Sequence, residues 1–282
     1  MTAQPETTYE LDADTALTPV GGGRFEGQLV ERWNVGAGMN GGYLAAFCLQ
    51  GVMAASALPD PLSLTTHYLS RPAAGLATVE VQAMREGRGH ATYRFELRQG
   101  DDVRATGLVL MGRLRPAGDL DFGPKMPDVS PPEECSSLKR WAPGGEQTAL
   151  WGRLDQRVAR AEDLFFMMTE PGEAQSGGWT RLADGRPSDV LCGALFLDVW
   201  PPAVFSRTLQ AGEAGAPTLE FTVHWRNPVP PGWLLVRTWT DLYAGGYVDE
   251  KGELWSTAGV LLAESRQLAR YLPLPREQPA SS

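Results

Sequence analysis

The chain carries three histidines, at positions 67, 90 and 224, and three cysteines, at 48, 135 and 192. Histidine is the usual base near neutral pH, and a serine or cysteine beside one is a ready nucleophile. That pairing is not marked here. No G-x-S-x-G stretch is present to present a serine, and no C-x-x-C pair is present to begin a zinc cluster. His67 and His224 sit at similar places in strand-like runs and read as core-filling residues, with His90 at a turn-to-strand junction. More distinctive are polar residues set in apolar surroundings. Asp198 closes an apolar segment in ALFLDVWPP, Thr218 opens TLEFTVHW, and Gln267 stands in VLLAESRQLAR. Singly, the Asp reads as a helix or turn terminator and the Thr as a strand opener. The Gln is harder to dismiss, because a buried amide must be hydrogen-bonded. Asn40–Gly41–Gly42, with Tyr43 after it, opens a long apolar run. A glycine-rich helix start can aim backbone N–H groups at a developing oxyanion. It can equally serve only to let a helix approach a sheet.

These residues need elements to hold them. From Met39 to Ala57 the side chains are apolar or small on nearly every side of a helical wheel, which predicts a buried helix. Pro59 and Pro61 stop it. Strand signals follow at Leu62–Leu69, Ala77–Met84, Ala91–Arg98 and Val103–Leu114, separated by short turn stretches. Tyr93, Phe95 and Leu97 alternate with Arg94, Glu96 and Arg98, one dry face and one wet. The plan then repeats. Ser188 to Leu197 predicts a second apolar helix, and strands follow at Thr218–Arg226, Trp233–Leu242, Gly246–Trp255 and Gly259–Tyr271. LSLTTHYLSRPAAGLATVEV and LEFTVHWRNPVPPGWLLVRT show the correspondence directly. A duplication of one unit is expected, with domains over residues 1–115 and 146–275, a Pro/Gly/Asp-rich linker over 116–145, and a tail over 276–282.

Composition limits the partners. The 282 residues are 43% hydrophobic and carry a formal net charge of −9. An acidic balance of this size argues against nucleic acid, whose phosphates call for a basic surface. The polar, acidic first residues are unlike a secretory signal or a transit peptide, and the longest apolar run is too short to span a bilayer. A cytoplasmic protein with no cofactor and no metal is expected, and a homo-oligomer is as compatible with the sequence as a monomer.

MNGGYLAAFCLQ, PDPLSLTTHYLSRPA and REGRGHATYRFELRQGD resemble the first half of thioesterase II family acyl-CoA hydrolases, and GELWSTAGVLLAESRQLAR resembles that family's last strand pair. The resemblance implies an α+β chain of two fused hot-dog domains, each an antiparallel sheet wrapped around a long buried helix. It implies acyl-CoA, or a related acyl thioester, as substrate. It also implies that Asp198, Thr218 and Gln267 carry hydrolysis, with Glu220 keeping the acidic residue two places after the Thr. A thioester carbonyl is electrophilic enough for attack by a held water, so a carboxylate base with a hydroxyl and an amide to fix that water would suffice. Asn40, Gly41, Gly42 and Tyr43 become oxyanion or substrate-binding candidates, and Arg71, Arg85 and Arg88 become candidates for the CoA phosphates. Two rivals keep the fold and change the activity. One is a hot-dog hydratase or dehydratase, which would need a His at the cleft. The other is an acyl-thioester binding protein without hydrolysis.

Overall fold

The computed structural model describes residues 8–36, 38–116, 118, 122–140, 149–160, 168–209 and 215–271. In the first half, a short helix α1 (Glu10–Asp14) precedes β1 (Thr18–Gly21), β2 (Arg24–Leu29) and a two-strand ribbon of β3 (Asn34–Val35) and β4 (Gly38–Met39). The expected helix follows as α2 (Gly41–Ala55), then β5 (Asp60–Tyr68), β6 (Gly75–Glu86), β7 (Ala91–Gln99) and β8 (Asp102–Gly112). The helix begins two residues later than its composition suggested, because the Asn40 side chain accepts a hydrogen bond from the Tyr43 amide and caps it there. Ten of its fifteen residues are buried and only Ala54 and Ala55, at its last turn, are exposed, as an all-apolar wheel requires.

The second half opens with β9 (Ser136–Ser137), α3 (Ala149–Gly152), β10 (Leu154–Val158) and β11 (Gln175–Leu182). Next come α4 (Val190–Phe196), α5 (Val204–Thr208), β12 (Thr218–Trp225), β13 (Leu234–Ala244), β14 (Tyr247–Ser256) and β15 (Leu261–Arg270). Asp189 caps α4 by accepting from the Leu191 and Cys192 amides. Part of the stretch read as a linker is built into this half. Strand β9 pairs with β10, Cys135 is buried, and the carbonyl of Ser130 accepts from the Trp179 indole.

Thirteen strands form one sheet in the order β1-β2-β6-β7-β8-β5-β12-β15-β14-β13-β11-β10-β9. The order is nearly the same read outward in both directions from the β5–β12 seam, so the duplication seen in the sequence is present in the topology. At the seam Thr65 faces Thr222, and their hydroxyls meet at 2.9 Å. These two residues are also equivalent positions of the repeat, 157 apart, so the local two-fold axis runs between them. Helices α2 and α4 pack against each other and against their own strands. A single buried cluster includes Phe47, Leu64 and Phe95 from the first half and Phe196, Phe221 and Leu254 from the second. Among the described residues no helix is long and apolar enough to cross a membrane.

The helix pair is close because of Gly42. A Cβ there would lie 2.8 Å from the carbonyl oxygens of Ala194 and Leu195 and 3.0 Å from the Asp198 Cβ. Gly42→Ala is expected to cost about 1–3 kcal/mol of overpacking, read as a Tm lowered by several degrees. An unchanged Tm would show that the two helices can part without loss.

Candidate functional site

Where α2 begins, the carboxyl end of α4 meets it from the other half. Asp198 lies just past α4, and its Oδ2 accepts from the Gly42 amide at 2.8 Å and from the Asn40 side-chain amide at 3.0 Å. Asn40 Nδ2 also donates to the Asp198 carbonyl at 2.6 Å. First-turn N–H groups have no partner within their own helix, and the helix dipole favours a negative charge at that end. Asp198 keeps some accessible surface but is set deep enough that burial raises its pKa to about 6, against the lowering effect of the Gly42 and Gly41 amides and Asn40. Tyr68, at the end of β5, donates its hydroxyl to the Gly41 carbonyl at 2.7 Å. Burial holds its pKa well above the usual phenol value, and the Asp198 charge adds to this.

A second polar group stands on the sheet of the second half. Thr218 donates to Gln267 Oε1 at 2.9 Å, and Gln267 Nε2 donates to Glu250 Oε1 at 2.7 Å. The other Glu250 oxygen accepts from the Ala203 amide at 2.5 Å. Register explains the alignment. Gln267 lies opposite Glu250 on β14, and side chains directly opposite in an antiparallel pair share a face. A bulge between Thr218 and Glu220 resets the start of β12 so that Thr218 lies opposite Ala269. Glu250 is 5% exposed and Gln267 7%. Burial raises the Glu250 pKa to about 7, opposed by the Ala203 amide and Gln267 and reinforced by the negative charge of Asp198.

The chain therefore brings Thr218 and Gln267 into direct contact. Asp198 hydrogen-bonds neither of them and is linked to the pair electrostatically, through Glu250. The carbon copy of this group is absent from the first half. Carrying the register across the two-fold axis puts Val109 and Tyr93 where the second half has Gln267 and Glu250. The hydroxyl–amide–acid chain is thus built by the second half, and the first half contributes Asn40 and Gly42 to Asp198.

Several expected residues lie elsewhere. The Tyr43 side chain is fully buried, stacks on Trp33 and donates its hydroxyl to the Asp14 carbonyl, so it belongs to the core behind α2. Its amide is taken by the Asn40 cap. Arg85 and Arg88 are exposed near the β6–β7 turn, which lies at the Pro61 end of β5, whereas the site lies at the Tyr68 end. Arg71 is exposed and runs close to Gly38, near the rim of the α2 start. His67, His90 and His224 are all exposed, not core-filling. Tyr68 and Glu250 were not singled out by sequence. Alternation along LTTHY could have placed Tyr68 on the inner face with Leu64 and Thr66, but Glu250 stands among charged neighbours and carried no such signal. Among the described residues no cluster of His, Cys, Asp and Glu could hold a metal ion.

Comparison with known proteins agrees with this architecture. Residues 29–112 match the acyl-CoA thioesterase N-terminal domain, and residues 132–271 match the acyl-CoA thioesterase C-terminal domain. A crystal structure of a candidate thioesterase II from Thermobifida fusca YX is 26% identical and superposes with a TM-score of 0.84, over 93% of this chain and 99% of that one. A hot-dog protein of unknown function from Alicyclobacillus acidocaldarius is 25% identical, with a TM-score of 0.85, over 97% and 100%. An uncharacterised protein of Mycobacterium tuberculosis is 23% identical over 272 residues, covering 87% of this chain and 90% of the relative. The duplicated helix-and-sheet plan and the two matching domain models make this chain a member of the acyl-CoA thioesterase family, of the thioesterase II type, with two hot-dog domains fused in one polypeptide.

Proposed function

We propose that the protein hydrolyses acyl-CoA thioesters to a free acid and CoA, using one water activated by Asp198 and oriented by Thr218 and Gln267. The observation that carries this reading is a carboxylate with a raised pKa at the meeting point of the two helices, together with a hydroxyl–amide pair bonded to Glu250, an acid on which the Asp198 charge acts. A base is most effective when its pKa lies near the working pH, and about 6 is closer to neutrality than an ordinary Asp. In the step itself, the water oxygen forms a bond to the thioester carbon while its proton passes to Asp198. The carbon–sulfur bond then breaks, and the same proton leaves with the CoA thiolate. No acyl-enzyme is needed.

The α2 amides have a more specific task than the sequence suggested. Gly42 N–H is directed at Asp198, so in the free protein it holds the base and is not open to an oxyanion. The second N–H of Gln267 is left to polarise the carbonyl or hold the water. Arg71, exposed and close to Gly38, would meet a CoA phosphate in this reading. The exposed histidines disfavour a hydratase, whose His must reach the cleft.

The direct test is thiol release from short, medium and long acyl-CoAs; no release from any of them would leave a binding protein. Asp198→Asn is expected to lower kcat/KM by about 10²–10⁴-fold. Burying the ionised carboxylate costs roughly 3 kcal/mol for its shift of about two pK units, so the Asn variant is not expected to unfold. The sign follows from linkage. Both Asp198 and Glu250 have folded-state values above their unfolded ones, so the folded chain holds extra protons between about pH 4 and 7, and their contribution to stability is lost as pH rises through that window. The Tm of Asp198→Asn relative to the parent should therefore increase from pH 5 to pH 8; a constant difference would contradict the burial argument. Activity runs the other way. The rate should climb with pH along a limb between about 6 and about 7, and a flat profile from pH 5 to 8 would remove Asp198 as the base.

A further inference from the structure

Resting on the hydrolytic reading above, we propose that Glu250 is a positioning residue that dictates which end of the Gln267 amide faces Thr218, and so which atoms are left to receive the water. The argument is one of donors and acceptors. Glu250 uses both oxygens, one on the Ala203 amide at 2.5 Å and one on Gln267 Nε2 at 2.7 Å. The Ala203 N–H belongs to the backbone where α5 begins, between Pro202 and Val204, and cannot turn into an acceptor. An ionised carboxylate accepts only, so the nitrogen of Gln267 must face it. The Gln267 oxygen then has to face Thr218, and the Thr218 hydroxyl has to donate to it.

The polarity of the chain is thereby fixed from the backbone outward. Among the described residues two functions at its end are not used by another hydrogen bond: the lone pairs of Thr218 Oγ1 and the second N–H of Gln267. A water seated there gives one proton toward Thr218, receives a bond from Gln267, and has its other proton available for Asp198. Without Glu250 the amide could take either orientation, because a hydroxyl accepts as readily as it donates. Half of those arrangements would meet the water with the wrong atoms. The first half, with Tyr93 and Val109 at the matching positions, has no such chain.

The charge state of Glu250 belongs to the device. Asp198 is the ionisable group acting on it, from the end of α4, while α5 and β15 present neutral amides. A proton on Glu250 Oε1 would call for an acceptor in place of the Gln267 nitrogen and turn the amide over.

The experiment combines Glu250→Gln, Gln267→Ala and the double variant. A glutamine at 250 can offer its oxygen to Gln267 only by pointing its own nitrogen at the Ala203 N–H, so either its anchor or the amide orientation is lost. Glu250→Gln is expected to lower kcat about 10- to 100-fold with KM held within about twofold. Its Tm at pH 8 should be equal to or above the parent's, since a buried charge has gone. The double variant should be no slower than Gln267→Ala, because the two residues act as one unit. Side-chain amide NMR, with the Gln267 resonances identified by their loss in Gln267→Ala, should show one downfield, exchange-protected proton that moves to an ordinary position in Glu250→Gln. The proposal is overturned by a kcat for Glu250→Gln within about threefold of the parent, or by losses that multiply in the double variant. It is equally overturned by a Gln267 amide signal indifferent to Glu250. If the parent hydrolyses no acyl-CoA, the hydrolytic reading falls on that ground, and the amide spectrum still decides the positioning.

Discussion

A carboxylate from one half sits on the first-turn amides of a helix from the other, and most of the structure can be understood as making that contact possible. A helix start carries unpaired N–H groups and a partial positive charge. An aspartate past the end of a second helix carries the complementary charge. Bringing them to 2.8 Å requires the helix backbones themselves to approach, which only a residue without a Cβ allows at position 42. The sheet fixes the rest. Strands β5 and β12 pair across the two-fold axis, so the order and register of each half determine where its helix lies relative to its twin.

The opposing forces at Asp198 set its character. Burial disfavours its charge, while three donors favour it, and burial prevails by enough to leave the acid near the neutral range. Glu250 is in the same position with fewer donors and a negative neighbour. Two acids whose pKa values are raised by burial would be a liability in a purely structural protein, since their ionisation works against the fold. Their retention makes sense if the site needs acceptors whose protonation responds to small changes.

Much of this was legible in the residues. An apolar run without a wet face had to be a buried helix, and α2 is one. Strand positions followed from alternation, as in Tyr93, Phe95 and Leu97, all buried, against the more exposed Arg94, Glu96 and Arg98. The repeat was visible in LSLTTHY against LEFTVHW, stretches whose matching Thr65 and Thr222 the sheet brings into contact. Other parts were hidden for physical reasons. Strand β11 reads QSGGWTRL, and its glycines at positive φ lie against neighbouring backbone and Trp200, a packing role that no strand propensity records. In VDEKGE, Asp249 pairs with Arg266 on the outer face while Glu250 points inward. One position of strand parity separates an ordinary surface acid from a buried one, and composition cannot tell them apart. The histidines show the same rule in reverse: the alternation that buries Thr66 and Val223 exposes His67 and His224.

The single polypeptide also changes how the molecule behaves with quantity. Asn40 and Gly42 reach Asp198 across the seam, so neither half holds a complete constellation. Where such units are separate chains, the constellation exists only above the dissociation constant of the pair. Here the partner is tethered, and its effective concentration is set by the connecting chain and not by how much protein is present. Assembly of the pair becomes part of folding, and it is independent of dilution. The tether further releases the two copies from identical sequence: one holds the acid-and-amide group, while the other fills the same places with Val109 and with Tyr93, whose hydroxyl bonds Glu86 instead.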